Sequence, residues 1–411
     1  MLLYQKTIFS AYLARGTILC LKAFQIPLLL RSLSQEEYVI FLILSSLEGW
    51  FLLLDFGLGS SLQNAIAKAR ALKDSEGDLL KTALVLGGIA LGLGLLLLFS
   101  TYLICSHFLF KQCSFYPYSL YLLCGLFFLL GTFGSIANKI VMGRKQGFLI
   151  HLTQAAAYTL SFTSLLSCSI LGKTTLIQAI LCTLGFPCLA SLGISFFVFS
   201  KVSFQDSIQW ELIHKAKNFF YFSVTAALVT LSDALIAPRT LQAQELIEYN
   251  FLCKIFGLFS FAYAAFLQSL SPYCSECLAT GHVEKIRSYT KQFFSLGLLG
   301  AGIFTCCVWM LVPSIESKLP LSLSFTGVFF FGAYVSIRLV CDFYAMILQS
   351  VNLLRPFFYL IPCQACICLS LQWILSSYFG VAGILGALFL SYLVTVFWAL
   401  PKQIKLLESP S

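Results

Sequence analysis

Residues 82–106 read TALVLGGIALGLGLLLLFSTYLICS, with no charged side chain in the run. As a helix rising about 1.5 Å per residue, the stretch reaches roughly 37 Å and crosses a hydrocarbon layer of roughly 30 Å. A bilayer offers backbone amides no partner, so a spanning segment must be a helix or a strand of a closed barrel. The run is continuously apolar and lacks the period-two alternation of a barrel strand, which selects the helix.

Similar runs recur along the chain. Of 411 residues, 59% are hydrophobic and only 10% are charged, against roughly 25% charged in a water-soluble domain. Spans are expected at approximately 8–30, 39–66, 82–106, 117–140, 148–171, 175–199, 217–238, 247–273, 292–313, 322–348, 356–377 and 379–400. The first contains Arg15 and Lys22 and no small-x-small cleavage pattern follows it, so it reads as a retained helix and not a signal peptide. The expected fold class is an all-α integral membrane protein with about twelve transmembrane helices.

Outside the span interiors, seventeen Lys and Arg fall on one side of these helices and five on the other. The positive-inside rule makes the first side, with both termini, cytoplasmic, and a cytoplasmic (inner) membrane location follows. The formal net charge of +9 is explained as anchoring beside anionic lipid, so no nucleic-acid partner is inferred.

Laying the second half over the first with a shift of about 210 residues aligns several landmarks. Glu37-Tyr38 matches Glu248-Tyr249, Lys81 matches Lys291, Gly87 and Gly92 match Gly297 and Gly302, and Gln154-Ala155 matches Gln364-Ala365. Six helices per half give both repeats the same topology, a two-lobed transporter design. The expected domains are an N-terminal six-helix lobe over 1–200, a cytoplasmic linker over 201–216 with Lys201, Asp206, Glu211 and Lys215, a C-terminal lobe over 217–401, and a cytoplasmic tail over 402–411.

An ionisable side chain at mid-bilayer costs about 2.5–3.5 kcal/mol on insertion scales, so each one needs a partner or a wet cavity. Eight stand inside expected spans: Arg15, Lys22, Glu48, Asp55, Asp233, Lys254, Arg338 and Asp342. The first span carries its cations seven residues apart and the second its anions seven apart, each pair separated by about 10 Å on one face. Antiparallel packing would set Lys22 near Glu48 and Arg15 near Asp55, while Asp233 and Lys254 match in depth. On one reading these pairs neutralise one another and fix helix packing, with Arg338 and Asp342 pairing locally four residues apart. On the other, Arg15, Lys22, Lys254 and Arg338 bind an anionic headgroup in a polar cavity, while Glu48, Asp55, Asp233 and Asp342 balance it or take up a coupling ion.

No catalytic, metal or cofactor site is expected. Gly172-Lys173-Thr174 resembles the end of a phosphate-binding loop, but Ser167 stands where its first glycine belongs. His107, His151, His214 and His282 are scattered near span edges and are expected to be solvated or interfacial. Most of the sixteen cysteines lie in apolar spans as small hydrophobes. Cys274 with Cys277 and Cys363 with Cys366 have C-x-x-C spacing, but no neighbouring ligands complete a zinc site. Gly87, Gly88, Gly92 and Gly94 include a G-x-x-x-G spacing that allows close helix approach.

The segments Leu33-Ser34-Gln35-Glu36-Glu37-Tyr38 and Leu53-Leu54-Asp55-Phe56-Gly57-Leu58-Gly59 resemble a pattern of polysaccharide-type flippases, a tyrosine opening the second helix and an Asp-x-Gly-x-Gly deep within it. Gly143-Arg144-Lys145-Gln146 and Gly380-Val381-Ala382-Gly383 add to the likeness. The chain is similar to the Wzx-type O-antigen flippases of the multidrug/oligosaccharidyl-lipid/polysaccharide (MOP) exporter superfamily. That resemblance implies transfer of a polyprenyl-diphosphate-linked glycan from inner to outer leaflet by alternating access. It implies membrane lipid and lipid-linked glycan as partners, with glycan polymerase or glycosyltransferase machinery nearby. A cation-coupled (H+ or Na+) exporter of small organic or drug-like molecules and a non-transport helical scaffold are the competing functions.

Overall fold

The computed structural model describes residues 2–109, 118–144, 146–172, 174–200, 202–203, 206–279, 283–317, 322–350 and 355–401. Lys173, Lys201, His282 and the tail 402–411 lie outside the described residues, as do the side chains of His107, Lys215, Cys274 and Cys277. Contacts divide the chain into two compact units, 1–224 and 225–411.

The first unit contains α1 (Leu2–Ser32), α2 (Gln35–Ser46), α3 (Glu48–Phe51), α4 (Leu58–Leu72), α5 (Gly77–Leu109), α6 (Tyr118–Gly143), α7 (Gly147–Ile170), α8 (Leu176–Ile180) and α9 (Phe186–Phe199). The helix α10 (Glu211–Thr230) runs across the division. The second unit continues with α11 (Asp233–Thr240), α12 (Ala243–Ala279), α13 (Val283–Glu316), α14 (Phe325–Ser350) and α15 (Phe357–Val394).

Among the described residues, nine helical stretches are long and apolar enough to cross a membrane. One of them, Phe357–Pro401, has 45 residues, about twice the length that one crossing of roughly 30 Å requires. It bends at Gly380, whose φ of 54° and ψ of −131° leave the helical region and are open to glycine alone. The chain reverses there so sharply that a Cβ on Gly383 would strike the Leu375 carbonyl. With α7 and α12, of 24 and 37 residues, the twelve expected helices are accounted for.

The helices fold as their local chemistry directs. Ser34 opens α2 with a capping box: its hydroxyl accepts from the Glu37 amide at 3.3 Å while the Glu37 carboxylate accepts from the Ser34 amide at 2.9 Å. Thr175 and Gln178 repeat the device at α8. Pro187 has no N–H to give to the turn before it, and α8 and α9 are joined by the wide π turn Leu181–Gly185 just upstream. The second span, expected as one helix over 39–66, is instead α2, α3, a 3-10 turn over Leu52–Asp55 and α4. Its break falls at Phe56 and Gly57, with φ of 50° and 74°.

In the first unit Leu62, Ile66, Ala83, Ile136, Ala137, Ile140 and Val198 form a core with little or no exposed surface. Large apolar side chains such as Phe196, Ile170, Leu96 and Ile303 point outward at 64–80% exposure. Such a surface is compatible with lipid and not with water.

The segment that follows α9 is fastened to the start of α5. The Ser207 amide donates to Asp78 Oδ1 at 2.6 Å, the Gln209 amide to Thr82 Oγ1 at 2.8 Å, and the Lys81 ammonium to the Asp206 carbonyl. On the same edge of the unit Glu76 receives Arg144 at 2.7 Å and Arg70 at 3.6 Å.

Candidate functional site

The helices α1 and α7 meet along a polar seam that the sequence reading did not anticipate. Arg15 lies within electrostatic range of His151. The Lys22 ammonium sits 4.8 Å from the centroid of the Tyr158 ring. The Gln25 amide donates to Ser161 Oγ at 3.1 Å, and Ser32 and Ser169 share a hydrogen bond of 3.0 Å. The partners stand 136, 136, 136 and 137 positions apart, so the two helices run parallel and in register, and their layers step by seven, three and seven residues. This is heptad packing with polar residues at the seam. His151, expected to be solvated or interfacial, is instead buried, at 5% exposure. His214 is exposed, as expected.

Of the ladder expected between the first two spans, the upper pair, Lys22 and Glu48, is brought within electrostatic range, and both side chains remain open to solvent. The lower rung has other partners. The Asp55 carboxylate accepts from the Gly57 amide at 2.8 Å and also from the Gly59 amide, and the cation facing it is Lys139. Asp55 thus caps the start of α4, and the Asp-x-Gly-x-Gly segment is the device that interrupts the second span and restarts it. Gly57 is required twice over: its φ is positive, and a Cβ would lie 2.5 Å from the Ala216 carbonyl and 2.6 Å from the Phe220 amide of α10.

In the second unit the charged candidates share one neighbourhood. The Tyr249 hydroxyl donates to Asp233 Oδ2, and the Ala234 amide donates to Oδ1 at 2.9 Å. Arg338 Nη1 donates to the Tyr334 hydroxyl at 3.1 Å, and its Nε lies 3.5 Å from Asp342, the local pairing expected from their spacing. Arg338 is also within electrostatic range of Asp233 and of Tyr392. Cys253 feels Asp233, Lys254 and Arg338 together. The cation within electrostatic range of Asp233 is Arg338, whereas Lys254, expected there by depth, acts on Cys253 in the same neighbourhood. Tyr334 and Tyr392 are not singled out by sequence, and Tyr249 only as a landmark of the repeat, because tyrosine carries no formal charge.

The repeat reappears in this packing. Ser232 and Cys368 are in contact at 3.9 Å, again 136 positions apart, and they stand 210 residues beyond Lys22 and Tyr158. Each unit thus joins its first and fifth spans in the same register, with a cation against an aromatic ring in one and a hydroxyl against a thiol in the other. Among the described residues no group of three or more His, Cys, Asp or Glu could hold a metal ion.

The fold compares closely with solved transporters. An inward-facing multidrug resistance MATE family transporter of the MOP superfamily superposes with a TM-score of 0.74, covering 96% of each chain at 14% identity. An outward-facing structure of a MATE family transporter gives 0.69, covering 99% of this chain and 96% of that one at 13% identity. A MOP superfamily transporter from Pyrococcus furiosus Vc1 gives 0.66 at 13% identity, covering 99% and 97%. No family model matches the sequence. Among curated proteins, the chain is 30% identical over 416 residues to the "Putative O-antigen export protein" of Yersinia pseudotuberculosis, covering 95% of this chain and 93% of that protein. It is 30% identical over 418 residues to the "Putative O-antigen transporter" of Salmonella typhi, covering 95% and 94%.

Helices long and apolar enough to cross a membrane, a fold shared with MOP superfamily transporters and relatives named as O-antigen transporters together define a membrane transporter. Within that class the chain belongs to the Wzx-type O-antigen transporter family.

Proposed function

We propose that this protein carries a polyprenyl-diphosphate-linked O-antigen-type oligosaccharide from the inner to the outer leaflet of the cytoplasmic membrane. The observation that supports the reading is Lys22, an exposed cation in the middle of a spanning helix with Arg15 seven residues before it, in a chain 30% identical to O-antigen transporters. A side chain of this kind is costly in lipid and is understandable where an anionic group must enter. The diphosphate is that group, while the polyprenyl tail remains in the bilayer. Alternating access would expose the site to either side in turn.

On this reading both termini and the 201–216 linker are cytoplasmic, and glycosyltransferases and a polymerase supply and consume the glycan. Asp233 and Asp342 are the positions where a coupling cation would act, with Glu48 balancing Lys22. Lys254 and Arg338 are candidate substrate cations of the second lobe. Reconstituted in proteoliposomes, the wild type should move a lipid-linked oligosaccharide between leaflets, and Arg15→Ala and Lys22→Ala should insert normally and lose that activity. Native transport rates in both variants would remove the cations from the mechanism. Unchanged lipid-linked glycans in cells depleted of the protein would remove the flippase function itself.

A further inference from the structure

The helix α7 contributes no charged side chain to the site, yet it supplies the whole opposite face of the α1 seam. Four of its residues meet α1 in register: His151 at Arg15, Tyr158 at Lys22, Ser161 at Gln25 and Ser169 at Ser32. Two of these layers, Gln25 with Ser161 and Ser32 with Ser169, are tied by hydrogen bonds, and Gln25, His151 and Ser161 are buried, which leaves little to a ligand. The layer at Tyr158 is different. There the lysine remains open to solvent, and the tyrosine is half-buried beneath its ammonium.

A lysine side chain has four rotatable bonds and, in the open, samples many rotamers. A ring face within about 6 Å attracts the ammonium and narrows that range. Glu48 pulls on the same ammonium from the second span. The two attractions have different consequences. The carboxylate competes with an incoming anion for the charge, whereas the ring face occupies one side of the ammonium and leaves its other N–H donors free. The neighbouring layers fix the height of the ring, because Gln25 and Ser161 are bonded one layer away and cannot slide without breaking that bond.

We infer that Tyr158 is a positioning residue for the anionic headgroup: its ring holds the Lys22 ammonium in the orientation that receives a diphosphate. The inference rests on the proposed function, because it takes Lys22 as a headgroup ligand. It assigns to α7 a part in setting affinity that no charge pattern in its sequence announces. The hydroxyl also reaches the ammonium, but the ring face is what covers one side of it, so phenylalanine should keep most of the effect and an aliphatic residue of similar bulk should not.

The test is binding of farnesyl diphosphate, a short-tailed diphosphate lipid, to the purified full-length protein in detergent, followed by calorimetry. Four proteins are compared with the wild type: Lys22→Ala, Tyr158→Phe, Tyr158→Leu and the double variant Lys22→Ala/Tyr158→Leu. Tyr158→Phe should bind within about threefold of the wild type, and Tyr158→Leu should bind about 5- to 20-fold more weakly. In the Lys22→Ala background the leucine substitution should cause no further loss, the non-additivity expected when one residue acts through the other. Wild-type affinity in Tyr158→Leu beside weakened binding in Lys22→Ala would overturn the positioning role and leave the proposed function standing. Unchanged binding in Lys22→Ala would overturn the headgroup role on which the inference rests. Equal losses in the presence and absence of Lys22 would show that Tyr158 acts by another route. If Tyr158→Leu does not fold, Tyr158→Phe and Tyr158→Trp decide: tryptophan, the better cation partner, should bind at least as tightly as tyrosine, and a loss in both overturns the proposal.

Discussion

Asp55 shows how one residue can satisfy a charge pattern and serve a different purpose. Its spacing from Glu48 suggested a partner for Arg15, whereas its carboxylate is turned back on its own chain, accepting from the amides of Gly57 and Gly59. Amides at the start of a helix have no intrahelical acceptor, and a side-chain oxygen that receives them stabilises the helix by about 0.5–2 kcal/mol. Asparagine presents the same oxygen without the charge. Asp55→Asn should therefore keep nearly the wild-type melting behaviour in detergent, while Asp55→Ala should lose about 1–2 kcal/mol. A large loss of transport in a well-folded Asp55→Asn protein would show that the charge facing Lys139 matters in its own right. Gly57→Ala should be far more damaging than either, since the new methyl would meet two backbone atoms of α10 in a conformation that alanine disfavours. Comparing the yield of folded protein from the three variants ranks them directly.

At the scale of the helices, the glycines of α5 separate spacing from contact. Gly88 and Gly92 have the G-x-x-x-G spacing, but neither has a neighbour within 4 Å. The close approach to α6 is made by Gly87, 3.1 Å from Phe133 as a Cβ would sit, and by Gly94, against Leu129. A tighter crossing joins α6 to α9, where a Cβ on Gly134 would stand 2.5 Å from Ser191 Cβ and 2.9 Å from its carbonyl carbon. Gly88→Ala and Gly92→Ala should be neutral or slightly stabilising, because alanine gains up to about 1 kcal/mol in a helix. Gly134→Ala should lose about 1–3 kcal/mol, because backbone cannot move aside as a Leu129 side chain can. Thermal unfolding of the three variants tests this order, and a stable Gly134→Ala protein would show that α6 and α9 can separate. The same contrast marks what sequence can convey. Helix number and the repeat were legible because hydrophobicity and spacing are local or periodic properties. The break at Phe56-Gly57 was missed because apolar side chains continue through it and only the backbone and one carboxylate turn. The α1/α7 seam was missed because it depends on which helices are neighbours. Its only trace was that His151 and Tyr158, like Arg15 and Lys22, stand seven residues apart.

For the molecule as a whole, the repeat governs the scaffold and not the charges. A shift of 210 carries Arg15 to Thr225 and Lys22 to Ser232, and it carries Arg338 and Asp342 back to Phe128 and Thr132. The first unit therefore sets Lys22 against a tyrosine ring and within range of one carboxylate, whereas the second holds Arg338 between two acids and beside two tyrosines. Equivalent positions in the two halves therefore carry different chemistry. Arg338 decides what that difference means, since sequence alone left it either a substrate cation or the partner of Asp342, and the structure sets it beside Asp342 and within electrostatic range of Asp233. Its side chain and that of Asp342 are 34% and 44% exposed, so solvent screens part of their attraction. Removing the cation from two acids should cost about 1–3 kcal/mol, less than the 3–5 kcal/mol of a fully buried pair. Arg338→Gln should accordingly melt earlier than the wild type, and Arg338→Gln/Asp342→Asn should recover part of the loss because the second change removes an acid left without its partner. If the recovered double variant still transports lipid-linked oligosaccharide, Arg338 is a structural cation and headgroup binding belongs to the first unit. Wild-type stability in Arg338→Gln with transport lost in both variants would instead place a substrate-binding cation in each unit.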